Sequence, residues 1–88
     1  MIRKEETICS LATSSGGAIS VIRMSGALSI SIIAEIFFPN DRNTDIVKLK
    51  GYSLVYGEIR DDMELIDEVL VSIFRSPHSY TGENSVEI

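Results

Sequence analysis

An α+β fold, with one mixed sheet and one or more helices packed on it, is what the pattern of this sequence predicts. Three observations carry the expectation. Segments rich in β-branched and apolar residues recur towards both ends of the chain. A stretch between them has apolar residues spaced by three and four, and two further apolar segments flank a short acidic link of hairpin length. At 88 residues the chain holds one domain at most.

Residues 7–13 (TICSLAT) predict a first strand, ended by the small-residue turn Ser14-Ser15-Gly16-Gly17. Residues 18–24 (AISVIRM) predict a second strand, with Ile19, Val21 and Arg23 on one face and Ala18, Ser20, Ile22 and Met24 on the other. Ser25-Gly26 breaks that strand, and Ser25 is placed to cap a helix. The helix is predicted over residues 27–38. Leu28, Ile32 and Ile36 recur every four residues, and Ile30, Ile33 and Phe37 widen the stripe. Ser29-Ile30-Ser31-Ile32 also alternates as a strand would, but length and the Pro39-Asn40 stop favour a helix. Residues 40–45 read as a polar connection, and residues 46–51 as a short exposed strand or an irregular link. Residues 52–60 and 65–74 predict two strands joined across Asp61-Asp62-Met63-Glu64. The second is nearly continuous in apolar residues after Glu68, which predicts a central strand covered on both faces. A loop over residues 76–83 leads to a last strand from Asn84, with Val86 and Ile88 apolar.

Apolar residues make up 44% of the chain and charged residues 24%, the balance of a globular protein. No run approaches the ~18 apolar residues of a membrane span, so no membrane association is expected. Eight Lys and Arg against 13 Asp and Glu leave a net charge of −5. With no basic run, that sign argues against strong nucleic-acid binding by this chain alone. One cysteine, Cys9, excludes an internal disulfide framework and fits a cytoplasmic protein, and the N-terminus does not read as a secretory signal.

Few residues suggest catalysis. Cys9 and His78 are the only members of their types, which excludes a zinc site with several Cys or His ligands. Cys9, among apolar neighbours, reads as a buried inert thiol, and His78, after Pro77, as a solvated surface histidine. The phosphate loop GxxxxGK[ST] is missing. Asp61, Asp62 and Glu64, with Asp67 and Glu68 beyond, read as a solvated turn. Two charged residues stand out. Arg23 shares its predicted face with Ile19 and Val21, so its five donors need a carboxylate, a carbonyl or a ligand. Glu87 lies between Val86 and Ile88, in alternation with Ser85 as on a wet outer face. On the residues alone, structural roles are favoured for both.

Four blocks in order are distinctive: Thr7-Ile8-Cys9-Ser10-Leu11-Ala12-Thr13, Ile19-Ser20-Val21-Ile22-Arg23-Met24-Ser25-Gly26, Ile66-Asp67-Glu68-Val69-Leu70-Val71, and Ser79-Tyr80-Thr81-Gly82-Glu83-Asn84-Ser85-Val86-Glu87-Ile88. Together they resemble the N-terminal domain of the MnmE/TrmE family of tRNA modification GTPases, the S-[YF]-T-G-E segment most specifically. The resemblance implies an α+β tetrahydrofolate-binding and dimer-forming domain over residues 1–88, incomplete here, with helical and GTPase domains further along the family's chains. It implies 5-formyltetrahydrofolate or a related tetrahydrofolate as ligand, and a homodimer as the assembly. For the whole protein it implies GTP, Mg and K ions, a flavoprotein partner of the MnmG type, and tRNA whose wobble uridine is modified at carbon 5. By position, Arg23 matches the arginine of the family's I-R-x-S-G block and Glu87 the glutamate of the strand after S-[YF]-T-G-E. Both are folate-contacting positions in the family. A carboxylate accepts paired N–H bonds from a pterin's amino-pyrimidine edge, and arginine meets carbonyl or carboxylate oxygens. No catalytic residue and no metal ligand is expected within the chain. The family's Pro-Pro-Gly-rich turn is Ser14-Ser15-Gly16-Gly17 here, and the sequence stops before the family's Cys-His-Gly stretch. Two other readings stay open at this point: a dimerisation piece without ligand affinity, and a fragment of an aminomethyltransferase-like enzyme.

Overall fold

The computed structural model describes residues 7–13, 19–75 and 84–88. In chain order the elements are β1 (Ile8–Leu11), β2 (Ile22–Ser25), α1 (Ser29–Ile36), β3 (Phe37–Pro39), a 3-10 turn (Ile46–Lys48), β4 (Ser53–Asp61), β5 (Glu64–Phe74) and β6 (Ser85–Glu87). The strands form one sheet in the order β1-β2-β6-β5-β4-β3, and every neighbouring pair is antiparallel. The expected mixed sheet is therefore corrected to an antiparallel one. A parallel neighbour would need a crossover returning beside its own strand. Here α1 instead carries the chain from β2 past three strands to the far edge. β6, last in sequence, sits between β2 and β5 and joins the two halves of the sheet.

The helix is shorter than its apolar pattern predicts. Pro39 drives the residue before it into extended backbone, and Phe37-Phe38-Pro39 pairs with Ile59, Glu58 and Gly57 of β4 as an edge strand. Proline is tolerated there because an edge strand need not donate on its outer side. The N-terminus also differs from expectation. Ser25 belongs to β2, and Leu28 occupies the cap position without a side-chain bond. Gly26 takes up the turn with φ 136°, a backbone that side chains disfavour. The buried Ser29 hydroxyl lies 2.9 Å from the Gly26 carbonyl and 3.1 Å from that of Asn84, tying the helix start to the approach to β6.

α1 buries Ile30 and Ile33 against Val71, Ile73 and Val86 of the sheet, with Phe37 and Ile46 completing the core. The four-spaced stripe of Leu28, Ile32 and Ile36 faces outward instead. Apolar residues nearly encircle this helix, so the path of its crossover decides which of them meet the sheet. Residues 46–51 contain the 3-10 turn rather than a strand. Asp45 accepts a hydrogen bond from the Val47 N–H at its start, and Arg75 holds it by donating to the carbonyls of Leu49 and Val47, each at 2.6 Å.

The β4–β5 hairpin is as predicted, with Asp61 opposite Glu64 and Asp62 in the left-handed region at φ 56°. β5 lies inside the sheet, but the described residues cover only one of its faces. Val71 and Ile73 have no exposed surface, whereas Leu70 between Val69 and Val71 is 55% exposed. A single helix on an antiparallel sheet leaves the other face open. At Gly57 the covered face leaves no room. A Cβ there would collide with the Phe38 carbonyl oxygen and stand 2.7 Å from the Phe37 ring, so β3 approaches β4 only because that position is glycine.

Cys9 is exposed on β1, not buried as its neighbours suggest, because α1 does not extend over this edge strand. β2 begins at Ile22, so Ile19, 78% exposed, and Ser20 precede the strand; Ala18 lies outside the described residues. The turn Ser14-Ser15-Gly16-Gly17 and His78 also lie outside them.

Candidate functional site

Register brings the two singled-out residues together. Arg23 on β2 and Glu87 on β6 are directly opposed, and side chains of opposed antiparallel residues point to the same face. Met24 beside Arg23 and Val86 beside Glu87 point into the core, so alternation aims the charged pair at the open face. Arg23 donates to one carboxylate oxygen of Glu87, Oε2, from Nε at 3.1 Å and from Nη2 at 2.6 Å. The demand of the Arg23 donors for a carboxylate is met 64 residues away in sequence. Both side chains keep contact with solvent, 40% exposed for Arg23 and 21% for Glu87. Ser85, expected to share a wet face with Glu87, is buried.

The row extends on either side. Ser10 of β1 opposes Arg23, and Ser72 of β5 opposes Glu87, so Ser10, Arg23, Glu87 and Ser72 cross four strands in line. Leu54 of β4 follows, opposite Ser72. Two small hydroxyl residues thus flank the charged pair. Since Glu87 receives both bonds on Oε2, the carboxylate has a second oxygen outside the pair, set on a strand paired on both sides. This is a polar, oriented spot that can receive N–H donors in a plane. Sequence reasoning picked out Arg23 and Glu87 but not Ser10 or Ser72, whose only signal is strand alternation.

A second arginine–glutamate pair lies on the same face. Arg60 donates to Oε1 of Glu58, two residues back on β4, from Nε at 3.0 Å and Nη2 at 2.7 Å. Beside it a cavity of about 570 Å³ opens among Phe38, Asn40, Arg42, Thr44 and this pair. It does not include Arg23 or Glu87, and no local pattern announces it, because the 40–44 loop and two strands form it jointly. Between the pairs the open face is apolar and aromatic, with Leu54, Tyr56 and Leu70 about half exposed or more. The Tyr56 phenol is raised above 10.0 by partial desolvation first, then by the charge of Glu68 and its hydrogen bond to that carboxylate, then by Glu58. The hairpin carboxylates Asp61, Asp62, Glu64, Asp67 and Glu68 are exposed, as a solvated turn requires. Among the described residues no three His, Cys, Asp or Glu side chains converge as metal ligands. No helix among them is long and apolar enough to cross a membrane.

Sheet, crossover helix and a solvent-accessible cross-strand ion pair define a small two-layer α+β module with one open face among the described residues. The chain belongs to the family described as GTP-binding protein TrmE N-terminus, whose sequence profile matches residues 7–88. Curated relatives agree. The tRNA modification GTPase MnmE of Bacteroides thetaiotaomicron is 52% identical over 84 residues, covering 96% of this chain and 18% of that protein. MnmE of Flavobacterium johnsoniae is 48% identical over 85 residues, again 96% of this chain and 18% of its own length. MnmE of Moorella thermoacetica is 46% identical over 87 residues, 96% of this chain and 19% of its own. The chain thus spans less than a fifth of the length of these curated relatives. The family match favours the GTPase family over the aminomethyltransferase-like alternative.

Proposed function

We propose that this chain is the tetrahydrofolate-binding, homodimer-forming N-terminal module of a cytoplasmic tRNA-modifying GTPase. Arg23 and Glu87 are its ligand contacts. The GTP, Mg and K ion sites then belong to other parts of the parent protein. The parent modifies carbon 5 of the wobble uridine with a flavoprotein partner. The observation that supports this reading is the solvent-accessible Arg23–Glu87 pair on the open face. The ligand classes fit its chemistry. A reduced pterin presents an amidine-like edge of N–H donors beside a carbonyl, and Glu87 supplies acceptor oxygens while Arg23 supplies donors. The cross-strand register sets both groups before any ligand arrives, so little ordering is left to do on binding.

Calorimetric titration with 5-formyltetrahydrofolate tests the assignment. Glu87→Gln keeps the size but removes the charge and replaces one acceptor oxygen with a donor. Affinity should fall by about 10- to 150-fold, the equivalent of about 1.5–3 kcal/mol for a hydrogen bond to a charged group. Arg23→Lys should also weaken binding, because lysine lacks the planar fork. Thermal melting without ligand should show that both variants stay folded. Unchanged folate affinity in Glu87→Gln removes that residue from the site, and no affinity in the parent chain leaves only a dimerisation role.

A further inference from the structure

The cavity of about 570 Å³ beside Arg60 combines groups that the proposed function does not use. Of the four arginines among the described residues, three have partners in the chain: Arg23 with Glu87, Arg60 with Glu58, and Arg75 with the carbonyls of Val47 and Leu49. Arg42, in the cavity lining, has none among them. The side chains of Asn40 and Thr44, also in the lining, make no hydrogen bond among the described residues either. Arg60 gives Nε and Nη2 to a single oxygen of Glu58, so its Nη1 stays outside that pair.

The loop that carries these donors is fixed by its own main chain. The Asn40 N–H donates to the Tyr56 carbonyl, the Thr44 N–H to the Asp41 carbonyl and the Asn43 N–H to Asp41 Oδ1, each at 3.0 Å. Arg42 is thus held on an ordered turn, and binding there costs little loop ordering. Phe38 directly opposes Glu58 across the β3–β4 ladder, which puts it, 48% exposed, on the same face. The lining sets two guanidinium groups against one carboxylate, a local excess of positive charge on a chain of net charge −5. Glu68 opposes Glu58 from β5, but it is bonded to the Tyr56 phenol and is not in the lining.

We infer that this cavity binds a free nucleoside monophosphate, with its phosphate on Arg42 and Arg60 and its base against Phe38. A guanidinium fork matches two oxygens of a phosphate or a carboxylate. A carboxylate would be used up by Arg42 alone, whereas a terminal phosphate keeps a third oxygen for Arg60 Nη1 or the Thr44 hydroxyl. Such a phosphate also carries about −1.5 to −2 charges at pH 7. The volume lies within the ~300–1,000 Å³ of sites for whole organic ligands, more than a lone phosphate fills. An aromatic ring beside cations is a platform for a nucleobase, since every base has a π-face to stack. A strand of nucleic acid fits less well. Asp61 follows Arg60, and Asp62 and Glu64 are exposed in the adjoining turn, so further phosphates beside the site meet like charge.

Calorimetric titration of this chain with adenosine 5′-monophosphate in phosphate-free buffer tests the inference. Saturable binding with a Kd at or below about 1 mM is expected. Adenosine, without the phosphate, and ribose 5-phosphate, without the base, should each bind at least about fivefold more weakly. Arg42→Gln should weaken nucleotide binding by about tenfold or more, and Phe38→Leu by about fivefold or more. Lys48→Gln removes the same charge from an exposed residue outside the cavity and should change affinity by less than about twofold. Arg42 has no partner in the chain to lose, so Arg42→Gln should melt with the parent, and its binding loss is then not a folding loss. Absence of saturable binding overturns the inference, as does equal affinity for adenosine or ribose 5-phosphate. An Arg42→Gln effect no larger than that of Lys48→Gln, or unchanged affinity in Phe38→Leu, does the same. A tetraadenylate strand that binds more tightly than the mononucleotide would assign the cavity to nucleic acid instead.

Discussion

The two faces of this sheet are made from alternate residues of the same strands, yet they do opposite work. On the covered face Val71, Ile73 and Val86 meet Ile30, Ile33 and Phe37 with almost no surface left exposed. On the open face the neighbours of those residues are Leu70, Ser72 and Glu87, joined by Arg23, Tyr56, Glu58 and Arg60. A single residue step therefore separates positions whose value is burial from positions whose value is reach. The contrast teaches where each kind of sensitivity should appear: stability on one side, recognition on the other.

The largest effect should come from filling the tight spot on the covered face. Gly57→Val forces a Cβ against the Phe38 carbonyl and the Phe37 ring, and urea denaturation should show a loss of about 3 kcal/mol or more. Next, Ile33→Ala, which empties a fully buried site, should cost about 2–5 kcal/mol, while Leu70→Ala on the open face should stay within about 0.5 kcal/mol. Similar losses for these two would erase the distinction between the faces. Within the open face, double-mutant cycles should rank the two ion pairs. Arg23 with Glu87 bridges two strands and should couple by about 1 kcal/mol, whereas Arg60 with Glu58, two residues apart on one strand, should couple by about 0.3 kcal/mol. The smallest effect is a titration. The Tyr56 phenolate absorbance, isolated by difference against Tyr56→Phe, should have its midpoint above 10.0, and Glu68→Gln should move it back towards that value.

What could be read from the sequence follows the range of the forces involved. The β4–β5 hairpin and the start of β6 were legible because the turn residues and the alternation that specify them are local. Strand order was not, since nothing near Val86 says that it will lie between Met24 and Ile73. The helix was legible as a helix but not in its orientation, because Leu28, Ile32 and Ile36 are as apolar as the residues that are buried. Cys9 was misplaced for a related reason: composition makes a strand apolar, but only the path of α1 decides whether anything covers it. Arg23 and Glu87 were each recognisable as odd, through their apolar neighbours and the family resemblance. Their contact, and the cavity beside Arg60, exist only once distant strands are side by side.

The placement of β6 has a consequence for how the chain acquires its shape. β1 and β2 can pair early, and β4 and β5 can zip from their own turn. Among the described residues these two halves share a sheet only through β6, Ser85–Glu87, with Asn84 and Ile88 bonding to Gly26 and Ile22 at its ends. Closing that gap joins residues more than sixty positions apart, the slowest kind of step in β assembly. On a ribosome the two halves would wait, each with an unpaired edge, until residues 85–88 emerged. The same closing event brings Glu87 to Arg23, so the site and the continuous sheet come into being together.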